Sequence, residues 1–266
     1  MERDRKKSNQ IDISIVIVSW NVANLLQKCL YSIYQNSADL SLEIFVVDNA
    51  SSDNTIKMIK DSFPEVELIE NKKNFGFARA NNQAIKKARG EYILLLNPDT
   101  EILNDNLKKS FQFMRVNQEC GVMGPKMYFA DQNLQPSVRK FPTFWPIFLM
   151  LIKAPKFFNQ LKSIDNYLCV DFDYSKKQEV DQVMGAFMMI SKKVLDRIGL
   201  LDERFFIWFE EVDLCKRIWD GGYKVIYNPE IEIIHHGGKS FSQQGIVTKQ
   251  FTFFKSALKY FLKHKK

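Results

Sequence analysis

Two kinds of apolar run alternate along the first half of this chain. Residues 13–19 (ISIVIVS) read continuously as a strand buried on both faces. They are followed by Val22, Leu25, Leu26, Cys29, Leu30 and Ile33 at the i, i+3, i+4, i+7 spacing of one helix face. The pair then repeats. Residues 43–47 predict a second strand that ends in Asp48 and Asn49, a helix runs on through Phe63, and residues 66–69 predict a third strand. Residues 77–88 carry a third helical pattern closed by Gly90, ahead of a fourth strand in EYILLLNPDT, residues 91–100. Such alternation predicts an α/β fold, a mostly parallel, doubly wound sheet with helices on both faces.

Beyond Gly121 the pattern loosens. Residues 121–128 and 183–190 read as strands, 131–142 as loop, and 142–161 as an aromatic, basic, Pro-punctuated stretch. Helices are expected at 192–198 and 211–219, and short strands at 223–227 and 231–234. The reading is one domain over residues 1–240, with a nucleotide-binding half to residue 110 and an acceptor half beyond, followed by a tail at 241–266.

Length and composition agree with one sizeable core: 266 residues, 45% of them hydrophobic. The four Cys lie apart without a CxxC pair, as reduced core thiols of a cytoplasmic protein would. The charged start MERDRKKSNQ has no apolar segment of the signal-peptide kind. The net charge of +7 resides in the tail: seven Lys follow Glu232 without one acidic residue, and removing them from 38 leaves 31 basic against 31 acidic groups. This tail predicts an anionic partner surface.

Candidate chemistry gathers at strand ends, where ligands of open α/β sheets bind. Asn97 and Asp99 flank Pro98 at the end of the fourth strand, two acceptors able to grip a hard divalent cation, although Asn-Pro-Asp also suits a plain turn. Asp48 can accept from a nucleobase or ribose, or close an Asx turn. Gly76, in Asn74-Phe75-Gly76-Phe77, allows close approach of a ligand or simply turns the chain. The turn Ser19-Trp20-Asn21-Val22 lacks the glycines of a dinucleotide fingerprint, and no P-loop pattern occurs. In FFIWFEEVDLCKR, residues 205–217, Glu210, Glu211 and Asp213 open a helix after an aromatic run. They complement the helix dipole, or, walled by Phe205, Phe206, Trp208 and Phe209, one of them becomes a general base with a raised pKa. Of the adjacent pair His235-His236, at most one should face the site.

Together SIVIVSWN, FVVDNASSDNT, NFGFARANNQAI, GEYILLLNPDT, VMGAFMMISKKVL, FFIWFEEVDLCKR and IIHHGGKS resemble glycosyltransferase family 2, in its bacterial rhamnosyltransferase-like branch, from about residue 13 to 240. The resemblance implies a GT-A fold, a nucleotide-diphosphate sugar donor, a divalent cation (Mg2+ or Mn2+) and inverting transfer to a glycan or lipid-linked acceptor. It implies donor binding by Ser19, Asn21, Asp48, Asn49, Asn74, Gly76, Asn81, Asn97 and Asp99, with metal on Asp99 and His235. The catalytic group would be Glu211 with Glu210 and Asp213, and Gly185, Ala186 and Trp208 would lie on the acceptor side. Asn97 stands where the family's DxD motif usually begins with Asp, and Glu211 where its base is usually Asp, so the choice between Glu210 and Glu211 stays open. GPKMYFADQNLQPSVRKFPT, residues 124–143, also resembles this branch and makes dTDP-rhamnose the first donor to consider, ahead of UDP-galactofuranose, UDP-glucose or a UDP-N-acetylhexosamine.

In the tail Val247, Phe251, Phe254, Leu258 and Phe261 fall on one helical arc, with Lys249, Lys255, Lys259, Lys263 and Lys266 beside it. That layout predicts an interfacial helix on an anionic membrane surface, at the inner face of the plasma membrane, or else a helix packing its Phe stripe on the core. A non-catalytic nucleotide-sugar-binding module is the competing class. Nucleic acid is not expected as a partner, because the neutral body places carboxylates at its strand ends.

Overall fold

In the computed structural model the described residues are 10–37, 39–153, 161–237 and 245–265, with the backbone alone at 246 and 247. The first half follows the predicted order: β1 (Ile13–Ser19), α1 (Ala23–Gln35), β2 (Leu42–Asp48), α2 (Thr55–Ser62), β3 (Glu67–Glu70), α3 (Phe77–Ile85) and β4 (Tyr92–Leu96). Then come β5 (Thr100–Ile102), α4 (Asn106–Val116), β6 (Cys120–Tyr128), β7 (Leu134–Gln135), β8 (Val138–Arg139), α5 (Phe144–Leu151) and α6 (Lys162–Leu168). The chain continues through β9 (Gln178–Glu179), β10 (Gln182–Val183), β11 (Phe187–Ser191), α7 (Lys192–Ile198), α8 (Glu210–Asp220), β12 (Lys224–His235) and α9 (Ile246–Lys263).

The main sheet runs β3-β2-β1-β4-β11-β6-β12-β5, with β7 on β6 and β9 on β12. Its first four strands are parallel, as expected. β11 then enters antiparallel between β4 and β6. The two short strands expected at 223–234 are one long β12, kinked by a register shift between Asn228 and Glu232. The strand expected at 183–190 is split at residues 184–186 into β10 and β11.

Alternation along β1 shows how the sheet is buried twice. Ile13, Ile15 and Ile17 join α1, α2 and α4 in one core, through Leu26, Ile59 and Phe111 among others. Val16 and Val18 face the opposite core with Ala80 of α3, Leu195 of α7 and Leu214 of α8. A third, smaller core joins Ile147, Tyr167, Phe205, Phe209 and Val212 to Ala257 and Tyr260 of α9. The basic tail is therefore packed on the body through one face, not appended to it. Cys29, Cys120 and Cys215 are buried, and burial pushes their thiols up to about 12, so they are inert core groups.

Candidate active site

The Asn97-Pro98-Asp99 turn lies where β4, the last of the four strands β3-β2-β1-β4, meets antiparallel β11: the Asn97 amide donates to Ala186 O at 2.9 Å. Asp99 is almost fully buried, 3.4 Å from His235 Nε2, and the Asn97 side-chain nitrogen stands 3.4 Å from the same atom. His235 is in register with Thr100 across β12 and β5, which fixes its place beside the turn. Its Nδ1 is 3.0 Å from Gln135 Oε1. With Nδ1 engaged by that amide oxygen, Nε2 is the ring nitrogen that faces Asn97 and Asp99. His236 faces the other way and meets Glu101 Oε1 at 2.7 Å, so one member of the pair faces the site, as strand alternation requires. No group of three or more His, Cys, Asp or Glu arranged to hold a metal occurs among the described residues. One carboxylate and one imidazole nitrogen, with the Asn97 side chain beside them, are nevertheless the hard and borderline ligand types that a divalent cation takes.

The start of α8 is built by an unusual turn. Trp208 and Phe209 adopt left-handed backbone (φ 65° and 70°), a conformation costly for aromatic residues at roughly 1–3 kcal/mol each. The result is that α8 starts with Glu210 and Glu211 at the cavity wall. Each carboxylate carries one buried oxygen, Oε2, without a hydrogen-bond partner. Burial, reinforced by the charge of Glu211, raises Glu210 well above the ordinary carboxylate value. Burial also raises Glu211, but backbone N–H groups at the helix start and the cationic Arg139 pull it back toward the charged form. Two neighbouring carboxyl groups are thus pushed apart, with Glu211 the one favoured as the anion.

Both ends face one cavity of about 310 Å3, lined by Trp20, Asn49, Asn74, Gly76, Asn97, Asp99, Gly185, Ala186, Trp208, Glu210 and Glu211 among others. Gly76 ties the halves together. It has φ +83°, and a Cβ there would lie 2.3 Å from Phe206 O, while Phe77 N–H donates to the same oxygen at 2.7 Å. Beside the cavity, Ser19 and Asp48 are register partners at the ends of β1 and β2. Asp48 Oδ2 accepts from Ser51 N–H at 2.9 Å, the Asx-type turn weighed above, while Asp48 Oδ1 and Ser19 Oγ are buried without partners. Asn49 holds the loop by donating to Gly76 O and accepting from Asn71.

Three expected site residues lie elsewhere. Asn21 Oδ1 accepts from Ser52 N–H at 2.7 Å and clamps two neighbouring turns. Asn81 donates back to Phe77 O within α3. Asp213, fully buried, holds Arg217, Lys263 and His264 at 2.9, 2.7 and 2.8 Å, so it anchors α9 to α8 and does not line the cavity with Glu210 and Glu211. Conversely, Ser137, Arg139 and Gln182 line the cavity and Gln135 orients His235. These fall in or beside segments read as loop, in or next to strands of two residues each that are too short to show a period.

The architecture is that of GT-A glycosyltransferases. The chain superimposes on GalNAc-T7, solved with UDP, GalNAc and Mn2+, at TM-score 0.66 and 17% identity, over 85% of this chain and 44% of that one. A model of the glycosyl transferase family 2 domain matches residues 14–199, and the chain belongs to that family. Similar sequences include an N-acetylglucosaminyl-diphospho-decaprenol L-rhamnosyltransferase of Mycobacterium tuberculosis, 23% identical over 86% of this chain and 77% of its own length. Rhamnosyltransferase WbbL of Escherichia coli is 27% identical over 86% of each. The chain spans only 26% of the length of a similar Sinorhizobium fredii protein, y4gI.

Proposed function

We propose that this chain is an inverting glycosyltransferase that moves a sugar from a nucleotide diphosphate to a hydroxyl of a glycan or lipid-linked acceptor, in bacterial cell-surface polysaccharide synthesis at the inner face of the plasma membrane. The observation that carries the reading is that a single cavity is lined at one side by Asn97, Pro98 and Asp99 and at the other by Glu210 and Glu211. The rhamnosyltransferases among the similar sequences make dTDP-rhamnose the first donor to test.

In this mechanism the unpartnered Asp48 Oδ1 and Ser19 Oγ, with Asn49, Asn74 and the backbone at Gly76, receive the nucleoside. Asp99 and His235, with Asn97 beside them, would hold Mg2+ or Mn2+, which supplies positive charge for the departing diphosphate. Glu211 takes the proton of the acceptor hydroxyl as its oxygen bonds to the anomeric carbon and the bond to the diphosphate breaks. Glu210, held toward its neutral form, spares the site a second negative charge. Gly185, whose absent side chain would lie 3.6 Å from Glu211 Cβ, leaves room for the acceptor there.

The test is nucleotide release from dTDP-rhamnose, UDP-galactofuranose, UDP-glucose and UDP-N-acetylglucosamine, with Mg2+ or Mn2+ and with chelator. Metal-dependent release from one donor is expected. Donor binding without any turnover would replace the enzyme by a nucleotide-sugar-binding module.

A further inference from the structure

The structure brings together two segments about a hundred residues apart in sequence, the aromatic stretch expected as a second membrane contact or as a lining of the acceptor cleft, and the tail helix. On α5 and just beyond it, Phe144, Trp145, Phe148 and Ile152 form one exposed stripe, with Trp145 64% and Phe144 61% accessible. On α9 the exposed stripe is Phe251, Phe254, Leu258 and Leu262, Leu262 being 58% accessible. Phe144 and Phe261 bridge the helices at 6.3 Å between ring centroids. Apolar side chains of this size, gathered on two adjacent helices, exceed the scattered exposure usual for a protein surface. The side chain of Val247, expected on the tail's apolar arc, and residues 154–158, the end of the aromatic stretch, lie outside the described residues.

We infer that α5 and α9 together form a docking surface for an anionic lipid leaflet. Neither helix carries a carboxylate, and Lys153, Lys255 and Lys265 border the exposed residues, Lys255 lying 4.2 Å over the Phe251 ring. A lysine-fringed aromatic face matches the boundary between anionic headgroups and acyl chains. A second copy of the chain is the poorer partner, because a self-complementary contact sets those lysines against each other. The five-lysine fringe expected from the sequence is smaller in the structure: Lys263 pairs inward with Asp202 and Asp213, and Lys259 donates to Arg204 O. No described helix is long and apolar enough to cross a membrane.

The opposite face of α9 reaches the cavity wall. Ser256 Oγ donates to Ile207 O at 2.9 Å, and Phe253 meets Trp208 at 5.7 Å; Ile207 and Trp208 both line the cavity. A docked molecule therefore presents its acceptor side next to the leaflet. This use rests on the glycosyltransferase reading; docking itself does not.

The full chain is sedimented with phosphatidylcholine vesicles, alone or with about one third phosphatidylglycerol. Binding to the anionic vesicles is expected, weakened by salt and reduced about tenfold or more in the triple variant Trp145→Ser, Phe254→Ser, Leu258→Ser. Melting temperature should be unchanged in that variant, and Val116→Ser, at an 81% exposed site on α4, should bind as wild type. Absence of wild-type binding, equal binding by the triple variant, or self-association that the triple variant abolishes without any vesicle binding would each overturn the proposal. Nucleotide release without vesicles separates the two readings: a chain that binds vesicles but turns over no donor removes the catalytic reading and leaves the surface.

Discussion

Asp213→Asn separates structure from catalysis within the acidic trio. The wild-type carboxylate is fully buried and receives Arg217 Nε, Lys263 Nζ and His264 Nε2. Removing one partner of a buried ion pair costs about 3–5 kcal/mol. Here the loss is cushioned. Arg217 keeps the carbonyl oxygens of Ile198, Gly199 and Leu200 at 2.9, 3.1 and 2.8 Å, Lys263 keeps Asp202 at 2.8 Å, and Asn preserves shape and one acceptor. A cost of about 2–3 kcal/mol follows, equivalent to roughly 5–10 °C in melting temperature for a chain of this size. Circular-dichroism melts and urea titrations measure it, and donor hydrolysis well below the melt should stay within about twofold of wild type. A change under about 0.5 kcal/mol, or a hundredfold loss of turnover at unchanged stability, would return Asp213 to the catalytic group.

Glu211→Gln should lower transfer by roughly a hundredfold or more while calorimetric donor binding survives; if Glu210→Gln is the inactive variant instead, the base is Glu210. Glu210→Gln should also stabilise the fold, with a pH signature. The folded-state pKa of Glu210 is raised, so its stability contribution is complete below the unfolded value near 4.5 and is lost as pH rises through the folded value. The variant's gain in melting temperature should be near zero at about pH 4 and grow toward neutrality, and a pH-independent gain would refute the burial argument. Gly76→Ala, placing a methyl 2.3 Å from Phe206 O at φ +83°, should cost about 2–4 kcal/mol and weaken donor binding; a wild-type melt would show that the loop is not tied as described. Gln135→Leu should weaken Mn2+ binding by about 10–100-fold in a spectroscopic titration, and unchanged affinity would remove its role in orienting His235.

Long buried runs made the parallel half legible: β1 and β4 cannot be anything but central strands, and Asn97 and Asp99 follow from where β4 stops. The second half was obscure for a different reason. β7 to β10 are two residues each, too short for a period, so Gln135, Ser137, Arg139 and Gln182 gave no strand signal of their own. The separate placement of Asp213 was hidden because three acids in one helical turn look alike in sequence, while the cations that pair with this one lie 4 to 51 residues away. The tail's amphipathic arc was visible, but its inner face, Phe253, Ser256, Ala257 and Tyr260, could be told from its outer face only by what the rest of the chain supplies to pack on it.

The antiparallel insertion of β11 also sets an order for folding. β1 to β4 are neighbours formed early in synthesis, yet the outer edge of β4, five buried residues in a row, gains its partner only when residues 187–191 emerge. Until then it is an unpaired apolar strand edge, the feature that most invites edge-to-edge aggregation. Closing it requires contacts between residues 91 to 99 positions apart in sequence, which are slow for a chain to find. A nascent chain halted before β11 therefore exposes its stickiest surface at the place where, once folded, Asn97 is pinned to Ala186.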